Sequence, residues 1–553
     1  MSDWYKKMSF YQIWIRSFAD GNGDGIGDLW GVYDKLEYIK SVGVDGIWFS
    51  PIYPSPNADF GYDISDYKDI HPEYGDLALF KKVLDKAHDL GLKVIMDLVI
   101  NHTSDEHPWF QESRKGRCNP YSDYYIWRDT PNNWESLFEG NAWEYDPQRG
   151  QYYLHIFAKK QPDLNMDNPA VRKEVEEILK FWLDMGVDGF REDVINFISK
   201  KEGLPSGVPL LPAVNGMPHY KDGPHIYEYN RQFRRVCQKY DCFQIGEGPM
   251  TTLKSALKYL TGPEKCLDMM FSFDHMMADC FYTEYMHRPF SLLKYKRAIS
   301  KWQYGLEGRA WNSLYLENHD HPRIISRYGS EVFRVKSGTM LAASYLFLQG
   351  TPFIYQGQEI GMTNIRLGRI EHYEDVSSKT NFHRYHLKDS MARRLHRIHL
   401  SSRDSARTPM QWDDSPHAGF TVPQAQPWFY VNRNYTEVNV KNQEKDPSSI
   451  LNFYRACLKL RKSSKTLLFG GYREHFPKDR YVFTYERYRK DIRYLIICSF
   501  SESAVAFRVP REYEGRTGEL MLCNYEDREK GPDKVRSIGF LRAYETRVYR
   551  FRF

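Results

Sequence analysis

The positions of apolar residues predict eight short strands, most of them separated by segments with helical periodicity. The strands are expected at residues 10–18, 44–51, 92–99, 187–193, 242–247, 266–273, 313–319 and 352–356. Each run is nearly continuous in apolar residues, as in parallel strands that are covered on both faces. Eight alternations of strand and helix predict an α/β fold, a parallel (β/α)8 barrel.

Two of the intervening segments are clear amphipathic helices, at residues 78–90 and 171–185. Gly91 and Gly186 follow them directly and stand where a helix C-cap glycine belongs. A strand follows each glycine, which is the expected order of a βα repeat.

Two regions depart from this alternation and divide the chain. The third strand is followed by a long insert rich in aromatic residues, about 101–168, and a loop of that length in a compact enzyme is usually functional or a small subdomain. From about residue 468, short β-rich runs with turns predict a closing antiparallel β-sandwich. We therefore predict a barrel of residues 1–103 and 170–467, an inserted subdomain of 104–169, and a β-sandwich domain of 468–553.

Composition narrows the class without choosing a function. Hydrophobic residues make up 41% and charged residues 27% of the 553 residues, which fits a soluble globular protein. Aromatic residues reach 16%, with 41 Tyr and 13 Trp. That excess suits the stacking of sugar rings and suits large aromatic cores equally well.

The charge pattern argues against nucleic acid as a partner. The formal net charge is only +5, whereas nucleic-acid binders concentrate basic charge on one face. We interpret the densest basic stretch as the solvated face of a helix rather than a phosphate-binding patch. It comprises Arg393, Arg394, His396, Arg397, His399 and Arg403.

The N-terminal residues and the cysteines predict a cytoplasmic protein. The first residues contain no apolar signal region with a cleavage site, and no apolar stretch is long enough to span a bilayer. Eight scattered cysteines without a CxxC motif indicate reduced thiols in a reducing compartment. We expect no membrane partner, and a monomer or small homo-oligomer.

Three carboxylates close three of the predicted strands: Asp193, Glu247 and Asp320. The carboxyl ends of barrel strands meet at one rim, so these side chains are expected to converge there. Paired carboxylates at such a rim are the groups that cleave glycosidic bonds.

The neighbours of these carboxylates suggest different roles. Arg191 lies two residues before Asp193 on the same strand face and would keep it ionised, as a nucleophile requires. No cation is adjacent to Glu247 in sequence, so we expect a raised pKa and a proton to donate. Taken alone, a buried Arg–Asp pair and a helix-capping Glu would explain both residues without catalysis.

An oxygen-rich loop near the N-terminus predicts a metal site. Asp20, Asn22, Asp24 and Asp28 alternate with other residues, four of them glycines, as in the first half of an EF-hand loop. Gly31 stands where an EF-hand has its bidentate Glu, so a true EF-hand is not expected. Two interpretations remain: a small cage of oxygen ligands for Ca²⁺ or Mg²⁺, and a Gly-rich turn that binds no metal.

Five ordered motifs resemble the signature regions of glycoside hydrolase family 13, the α-amylase family. They are DLVINH, QPDLN, GFREDV, IGE and ENHD. SDEHPWF, YQGQEIGM and ARTPMQWD make the resemblance strongest to its oligo-1,6-glucosidase and α-glucosidase branch, over nearly the whole chain. The resemblance implies a barrel with an insert after strand three and a C-terminal β domain.

The resemblance also implies retaining double displacement at an α-glucoside. It assigns Asp193 as the nucleophile, Glu247 as the general acid and base, and Asp320 as the stabiliser of the transition state. The loop at 20–28, including Ile26, corresponds to the family's calcium or magnesium site, and no organic cofactor is implied. The implied substrate contacts are Asp59, Tyr62, His102, Phe157, Gln161, Arg191, Val194, His319 and Arg407.

Val194 bears on the choice of substrate, because Val after the nucleophile accompanies α-1,6 linkages in this branch. A change on the scale of one methyl group contributes about 1–3 kcal/mol, so it sets a preference. Several positions depart from the branch and, we expect, cluster around the pocket rim, where they would affect the aglycone preference. They are Phe60, Glu192, Gly248, Glu317, His321 and Gln358.

The predicted function is therefore an exo-acting α-glucosidase that releases glucose from the non-reducing end of short α-1,6-linked oligosaccharides such as isomaltose and panose. Rival enzymes are an α-1,4-glucosidase, a trehalose-6-phosphate hydrolase, and a sucrose isomerase or other transglucosylase. A non-catalytic sugar-binding relative is disfavoured, because all three carboxylates are present.

Overall fold

The computed structural model describes residues 3–138, 140–209, 214–384, 389–528 and 530–553, and the predicted starting boundary at residue 1 lies outside them. The chain opens with three parallel strands: β1 Phe10–Ile13, β2 Gly46–Phe49 and β3 Lys93–Leu98. An inserted three-stranded antiparallel sheet follows: β4 Trp127–Arg128, β5 Trp143–Asp146 and β6 Gln151–Leu154.

Five further parallel strands complete the barrel. They are β7 Gly189–Glu192, β8 Phe243–Glu247, β9 Met269–Phe271, β10 Ser313–Leu314 and β11 Thr351–Tyr355. The strand order is β10-β11-β1-β2-β3-β7-β8-β9. At the seam between β9 and β10, the hydroxyl of Ser313 donates to the carbonyl of Met270 at 3.0 Å. All eight predicted strands are present, and the predicted (β/α)8 barrel is confirmed.

Helices surround the barrel where the periodicity predicts them. Gly186 caps the helix at 169–185 with φ +110°, a left-handed conformation that costs glycine little. Within the described residues the α-helices are α1 Leu29–Val42, α2 Leu77–Asp89, α3 Pro108–Ser113, α4 Pro169–Met185, α5 Met217–Tyr220, α6 Ile226–Cys237, α7 Leu253–Leu260, α8 Leu292–Leu306, α9 Ile324–Arg327, α10 Arg334–Leu346, α11 Val376–Arg384, α12 Met391–Ser401, α13 Val440–Lys445, α14 Ile450–Ser463 and α15 Lys465–Phe469.

The C-terminal region is an antiparallel sandwich. A six-stranded sheet packs its apolar face against a two-stranded sheet, and Leu495, Leu520 and Phe507 lie in the shared core. The eight strands are β12 Gly471–His475, β13 Val482–Arg489, β14 Ile492–Ser499, β15 Val505–Arg508, β16 Thr517–Cys523, β17 Gly531–Lys534, β18 Ile538–Leu541 and β19 Thr546–Arg552.

One predicted strand is much shorter than expected. The seventh run was predicted over 313–319, but β10 ends at Leu314. It lies at the barrel seam and pairs in parallel only with β11 over two residues, so the chain beyond it lacks a partner to extend the ladder. Asp320 is therefore carried by a loop, whereas Asp193 directly follows β7 and Glu247 ends β8.

Two features of the structure relate to the predicted cytoplasmic location: the state of the cysteines and the character of the helices. All eight cysteines are unpaired in the structure, and six of them are buried. Among the described residues, no helix combines the length and apolar character needed to cross a membrane.

Candidate active site

A cavity of about 190 Å³ lies at the carboxyl ends of the barrel strands. This is smaller than the roughly 300–1,000 Å³ of sites for drug-sized ligands, and it suits one sugar ring rather than an oligosaccharide. The lining residues are Asp59, Tyr62, His102, Phe138, Phe157, Gln161, Asp193, Val194, Glu247, Pro249, Phe273, Asp320 and Arg403.

The structure brings the predicted site residues together. Nine of the twelve predicted catalytic and substrate residues line the cavity. The other three, Arg191, His319 and Arg407, lie directly behind it and hold the lining carboxylates.

Arg191 is the hub of the site. Its Nη1 contacts Oδ1 of Asp193 at 2.6 Å and Oδ1 of Asp97 at 2.7 Å, and its Nη2 contacts Oε1 of Glu247 at 2.8 Å. The expectation that Glu247 has no cation nearby was therefore wrong. Strand pairing supplies the cation laterally, because β7 and β8 are neighbours and Arg191 lies in register with Ile245.

The protonation of this cluster also differs from the expectation for Asp193. Burial raises the pKa of Asp193 well above its usual range, and Arg191 only partly offsets that effect. Burial likewise raises the pKa of Asp97 to about 6. Three buried carboxylates around one guanidinium would carry two uncompensated negative charges, so the free site retains a proton near neutral pH.

Val194 holds the general-acid candidate through its backbone. Its amide donates to Oε2 of Glu247 at 3.2 Å, and its φ of 35° and ψ of 38° are left-handed. That conformation is a genuine outlier for a β-branched residue and marks backbone strain of the kind that concentrates at functional sites. The residue after Asp193 thus orients Glu247 as well as lining the cavity.

Asp320 is surrounded by cations. Burial alone would raise its pKa, but His319, Arg403 and Arg407 hold it well below the usual range. Nη1 of Arg403 and Nη2 of Arg407 each lie 3.2 Å from Oδ1 of Asp320. Because burial lowers the pKa of His319 to about 4, the imidazole is neutral near pH 7 and the two guanidiniums provide the charge there.

Arg403 corrects a second expectation. We predicted it on a solvated helix face, but it is 9% exposed and follows α12 in a loop that turns into the cavity. Its guanidinium binds Asp59 at 3.1 Å and Asp375 at 2.6 Å as well as Asp320. The only sequence signal was its place four residues before Arg407, next to the ARTPMQWD motif.

The remaining polar lining residues form one connected network. Gln161 donates to Oδ2 of Asp59 at 3.3 Å and contacts Nε2 of His102 at 3.1 Å. Burial lowers the pKa of His102 to about 4, so it is a neutral hydrogen-bonding group near pH 7. Gln161 and the neutral His102 can hold sugar hydroxyls without adding charge.

The rings of Tyr62 and His319 form an aromatic stack beside Asp320. Their centroids lie 5.1 Å apart, and the ring of Trp14 also stacks on His319, with centroids 5.3 Å apart. The Tyr62 hydroxyl contacts Nε2 of His319 at 2.6 Å. Of these three rings, Tyr62 lines the cavity and offers an aromatic surface to a pyranose ring.

Sequence reasoning did not single out three lining residues: Phe138, Pro249 and Phe273. Phe138 belongs to the insert, and Arg403 lies 4.9 Å above its ring. All three are single apolar residues in irregular segments, where no periodicity marks the side that faces a cavity. Phe138 and Phe273 lie within aromatic or apolar runs of the sequence, and nothing in those runs indicates which ring faces the cavity.

The expected grouping of the six unusual residues at the pocket rim was wrong in part. None of the six is among the described residues that line the cavity, although Phe60, Gly248 and His321 adjoin residues that do. The other three are buried behind it. Glu317 pairs with Arg323 at 3.1 Å, Gln358 donates to Tyr454, and Glu192 accepts from Gln244.

The N-terminal loop offers oxygen donors to a cation. The amide of Asn22 donates both to Oδ1 of Asp20 at 3.1 Å and to Oδ2 of Asp28 at 3.0 Å, so the two carboxylates flank one amide. Burial raises the pKa of Asp28, loop amides lower it, and the charge of Asp20 raises it. Carboxylate, amide and carbonyl oxygens are the ligands that Ca²⁺ and Mg²⁺ prefer, so these residues fit such an ion chemically.

The acidic residues of this loop do not converge on one point by themselves. Within the described part of the chain, three acidic or histidine ligand atoms lie within 4.8 Å of one another only at His475, Glu486 and Glu512. An ion in the N-terminal loop would therefore also need the side-chain oxygen of Asn22 and the carbonyl of Ile26.

Comparisons with known proteins agree with this geometry. Residues 12–470 match the family model described as alpha amylase, catalytic domain. The chain is 47% identical to an oligo-1,6-glucosidase of Parageobacillus thermoglucosidasius, with 99% of each chain covered. It is 41% identical to a trehalose-6-phosphate hydrolase of Bacillus subtilis (strain 168), with 99% of this chain and 98% of the relative covered.

A solved structure extends the comparison to the fold. The chain superposes on the isomaltulose synthase of Klebsiella sp. LX3 with a TM-score of 0.94 and 38% identity, covering 100% of both chains.

Proposed function

Because the chain belongs to the α-amylase family, glycoside hydrolase family 13, it is a glycoside hydrolase, and we propose that it is an exo-acting retaining α-glucosidase for short α-1,6-linked oligosaccharides. The observation that carries the proposal is the binding of Asp193 and Glu247 to neighbouring nitrogens of the one Arg191 guanidinium. Retention needs two carboxyls about 5–5.5 Å apart, and inversion about 6.5–9.5 Å. A shared guanidinium favours the shorter separation.

In the first step, Asp193 attacks the anomeric carbon while Glu247 donates its proton to the glycosidic oxygen. The bond from that carbon to the aglycone breaks, and a glucosyl ester forms on Asp193. Asp320, kept ionised by Arg403 and Arg407, is placed to stabilise positive charge that develops on the sugar ring.

In the second step, Glu247 takes a proton from water, whose oxygen attacks the anomeric carbon and releases Asp193. Two inversions leave the α-configuration unchanged. The Val194 amide holds Glu247 in both steps, because it donates to the oxygen that Arg191 does not bind.

The closed end of the cavity supports exo action. Asp59 is held by Arg403 at 3.1 Å and Gln161 at 3.3 Å, so a polar wall stands where a longer chain would have to continue. A terminal glucose would place its hydroxyls on this wall. The specificity for α-1,6 linkages rests on Val194 and on the relatives that carry the name oligo-1,6-glucosidase.

A substrate panel tests the function. The purified protein is assayed on isomaltose, panose, maltose, sucrose and trehalose 6-phosphate, with the anomer of the released glucose followed by NMR. We expect isomaltose to be cleaved with a higher kcat/KM than maltose and α-glucose to be the first product. Faster cleavage of maltose or of trehalose 6-phosphate, or conversion of sucrose to an isomer, would replace the α-1,6 assignment with the corresponding rival.

We further propose that Asp20, Asn22, Asp24, the carbonyl of Ile26 and Asp28 hold a structural Ca²⁺ or Mg²⁺. An ion bound only by the folded state would raise its stability. We expect about one equivalent of metal in the purified protein by elemental analysis, and a lower melting temperature after chelation. A metal-free protein whose melting temperature does not respond to added Ca²⁺ or Mg²⁺ would exclude the site.

We also propose a cytoplasmic location, which the eight unpaired cysteines support. Recovery of the activity in the soluble cytoplasmic fraction of the producing cell tests it, and recovery in the medium would contradict it.

A further inference from the structure

The outer face of the catalytic strands carries a second buried polar network. Oε1 of Glu192 accepts from Nε2 of Gln244 at 2.6 Å, and Oε1 of Gln244 accepts from Nη1 of Arg234 at 3.1 Å. Arg234 in turn binds both oxygens of Asp268, at 2.6 and 2.7 Å. All four residues are at most 5% exposed, and we call this network the outer belt.

The outer belt lies directly behind the catalytic carboxylates. Strand residues alternate between faces, so Glu192 points away from the barrel while Arg191 points into it. Gln244 likewise lies on the opposite face of β8 from Glu247. The belt joins β7 and β8 to helix α6, which carries Arg234, and to the residue before β9, Asp268.

The end of β7 transmits this anchoring to the site. Glu192 is followed by the nucleophile candidate Asp193, whose amide donates to the carbonyl of Leu98 at 2.9 Å. Val194 comes next and donates its amide to Glu247. A shift of Glu192 along or across the strand would therefore move Asp193 and also the amide that orients Glu247.

We propose that Glu192 is a positioning residue, whose hydrogen bond to Gln244 fixes the end of β7 and with it the relative placement of Asp193 and Glu247. This inference rests on the proposed retaining mechanism. Glu192 touches neither the cavity nor the reacting atoms, and it acts only through the backbone of the residues that follow it.

The surroundings of Glu192 require it to be uncharged. Its Oε2 has no hydrogen-bond partner, and the nearest cation, Arg234, is engaged by Asp268. The other titratable groups facing it are the thiols of Cys242 and Cys266. Burial raises the pKa of Glu192 to about 8, so it holds its proton at neutral pH.

Ionisation of Glu192 should therefore disturb the site. Above pH 8 a negative charge would appear in a buried space beside Asp268, and two carboxylates would compete for Arg234. The outer belt would then rearrange. Catalysis would fall although the group that titrates, Glu192, is not a catalytic group. This dependence separates a positioning role from a merely structural one.

The test compares the wild type with Glu192→Gln and Glu192→Met between pH 5.5 and 9.5 on a nitrophenyl α-glucoside. Gln keeps the shape and can still accept from Gln244, but it cannot ionise. Met fills the space and cannot accept at all. Melting temperatures at each pH confirm that every protein is folded under the assay conditions.

We expect Glu192→Gln to retain kcat within about two-fold at pH 6.5. Above pH 8, kcat/KM of the wild type should fall relative to that of Glu192→Gln, because Glu192 ionises only in the wild type. Glu192→Met should lower kcat about ten-fold at every pH with little change in KM. A ratio of wild-type to Glu192→Gln kcat/KM that stays constant across the pH range, or an unchanged kcat in Glu192→Met, would overturn the proposal. An inactive wild type would instead refute the proposed function.

Discussion

The two faces of strands β7 and β8 both bury carboxylates, but they stabilise them in opposite ways. On the inner face Asp193 and Glu247 share the charge of Arg191. On the outer face Glu192 has no cation of its own and is kept neutral, while Arg234 serves Asp268. A buried acid must be paired or protonated. Asp193 has a charged partner, although burial also raises its pKa, whereas the adjacent Glu192 is protonated without one.

The difference teaches where charge is useful. The inner face has solvent access through the cavity and performs chemistry, so it holds charges that can respond to a substrate. The four residues of the outer belt are at most 5% exposed, and a charge without a partner there would only cost free energy. Its polar groups act through hydrogen bonds that fix geometry.

The largest expected effect comes from replacing Asp193, compared with the same replacement of its neighbour Glu192. Asp193→Asn and Glu192→Gln are both isosteric and replace adjacent carboxyls on opposite faces. We expect Asp193→Asn to reduce kcat/KM by about 10⁴-fold or more, because the nucleophile is lost, with Glu192→Gln nearly unaffected at pH 6.5. Glucose release from isomaltose measures both, and circular dichroism checks the fold. Substantial residual activity in Asp193→Asn would sink the nucleophile assignment.

A smaller effect is expected from the two arginines. Lys keeps the charge but cannot bridge two carboxylates with a planar fork. We expect Arg191→Lys to lower kcat/KM about 10²-fold or more, since Asp193 and Glu247 lose their common anchor. Arg234→Lys, the matched change on the outer face, should lower it less than ten-fold. Steady-state kinetics of the two variants at pH 6.5 measure both effects. Equal losses of kcat/KM would show that the inner-face arginine is no more important for catalysis than the outer-face arginine.

The smallest effect concerns the pH dependence of stability. The unfolded chain releases the proton of Glu192 near its ordinary pKa of 4.5, whereas the folded protein keeps it until about pH 8. Between these values the unfolded state binds fewer protons, so Glu192 makes stability fall as pH rises, by at most about 1.4 kcal/mol per pH unit.

Glu192→Gln removes this contribution. We expect its melting temperature to rise relative to the wild type between pH 5.5 and 7.5, as followed by scanning calorimetry. Parallel curves for the two proteins across that range would contradict a neutral, buried Glu192. An inner-face carboxyl cannot serve for this comparison, because its titration is shared with its neighbours.

The barrel could be predicted from sequence because burial on both faces makes its strands uniformly apolar. The strand-end positions of Asp193 and Glu247 followed from the same pattern. Asp320 did not fit it, because β10 at the seam loses its partner after two residues and the loop beyond it carries the carboxylate.

The electrostatics of the site could not be predicted in the same way. Sequence proximity placed Arg191 beside Asp193, but only the register of β7 against β8 brings it to Glu247. Arg403 looked like part of a basic helix face, and its turn into the cavity depends on Asp59, Asp320 and Asp375. The contacts of Arg403 join residues 28, 83 and 344 positions apart, and no local pattern encodes them.

The left-handed backbone of Val194 has a consequence for engineering the enzyme. A library randomised at this position, with the aim of changing linkage preference, would also select for tolerance of φ 35°. Asn, Asp and Gly adopt that conformation more readily than Thr or Ile. Variants recovered from such a screen would therefore report chain geometry and sugar preference together. Val194→Gly, which relaxes the backbone and removes the side chain, compared with Val194→Ala and Val194→Asn, would separate the two.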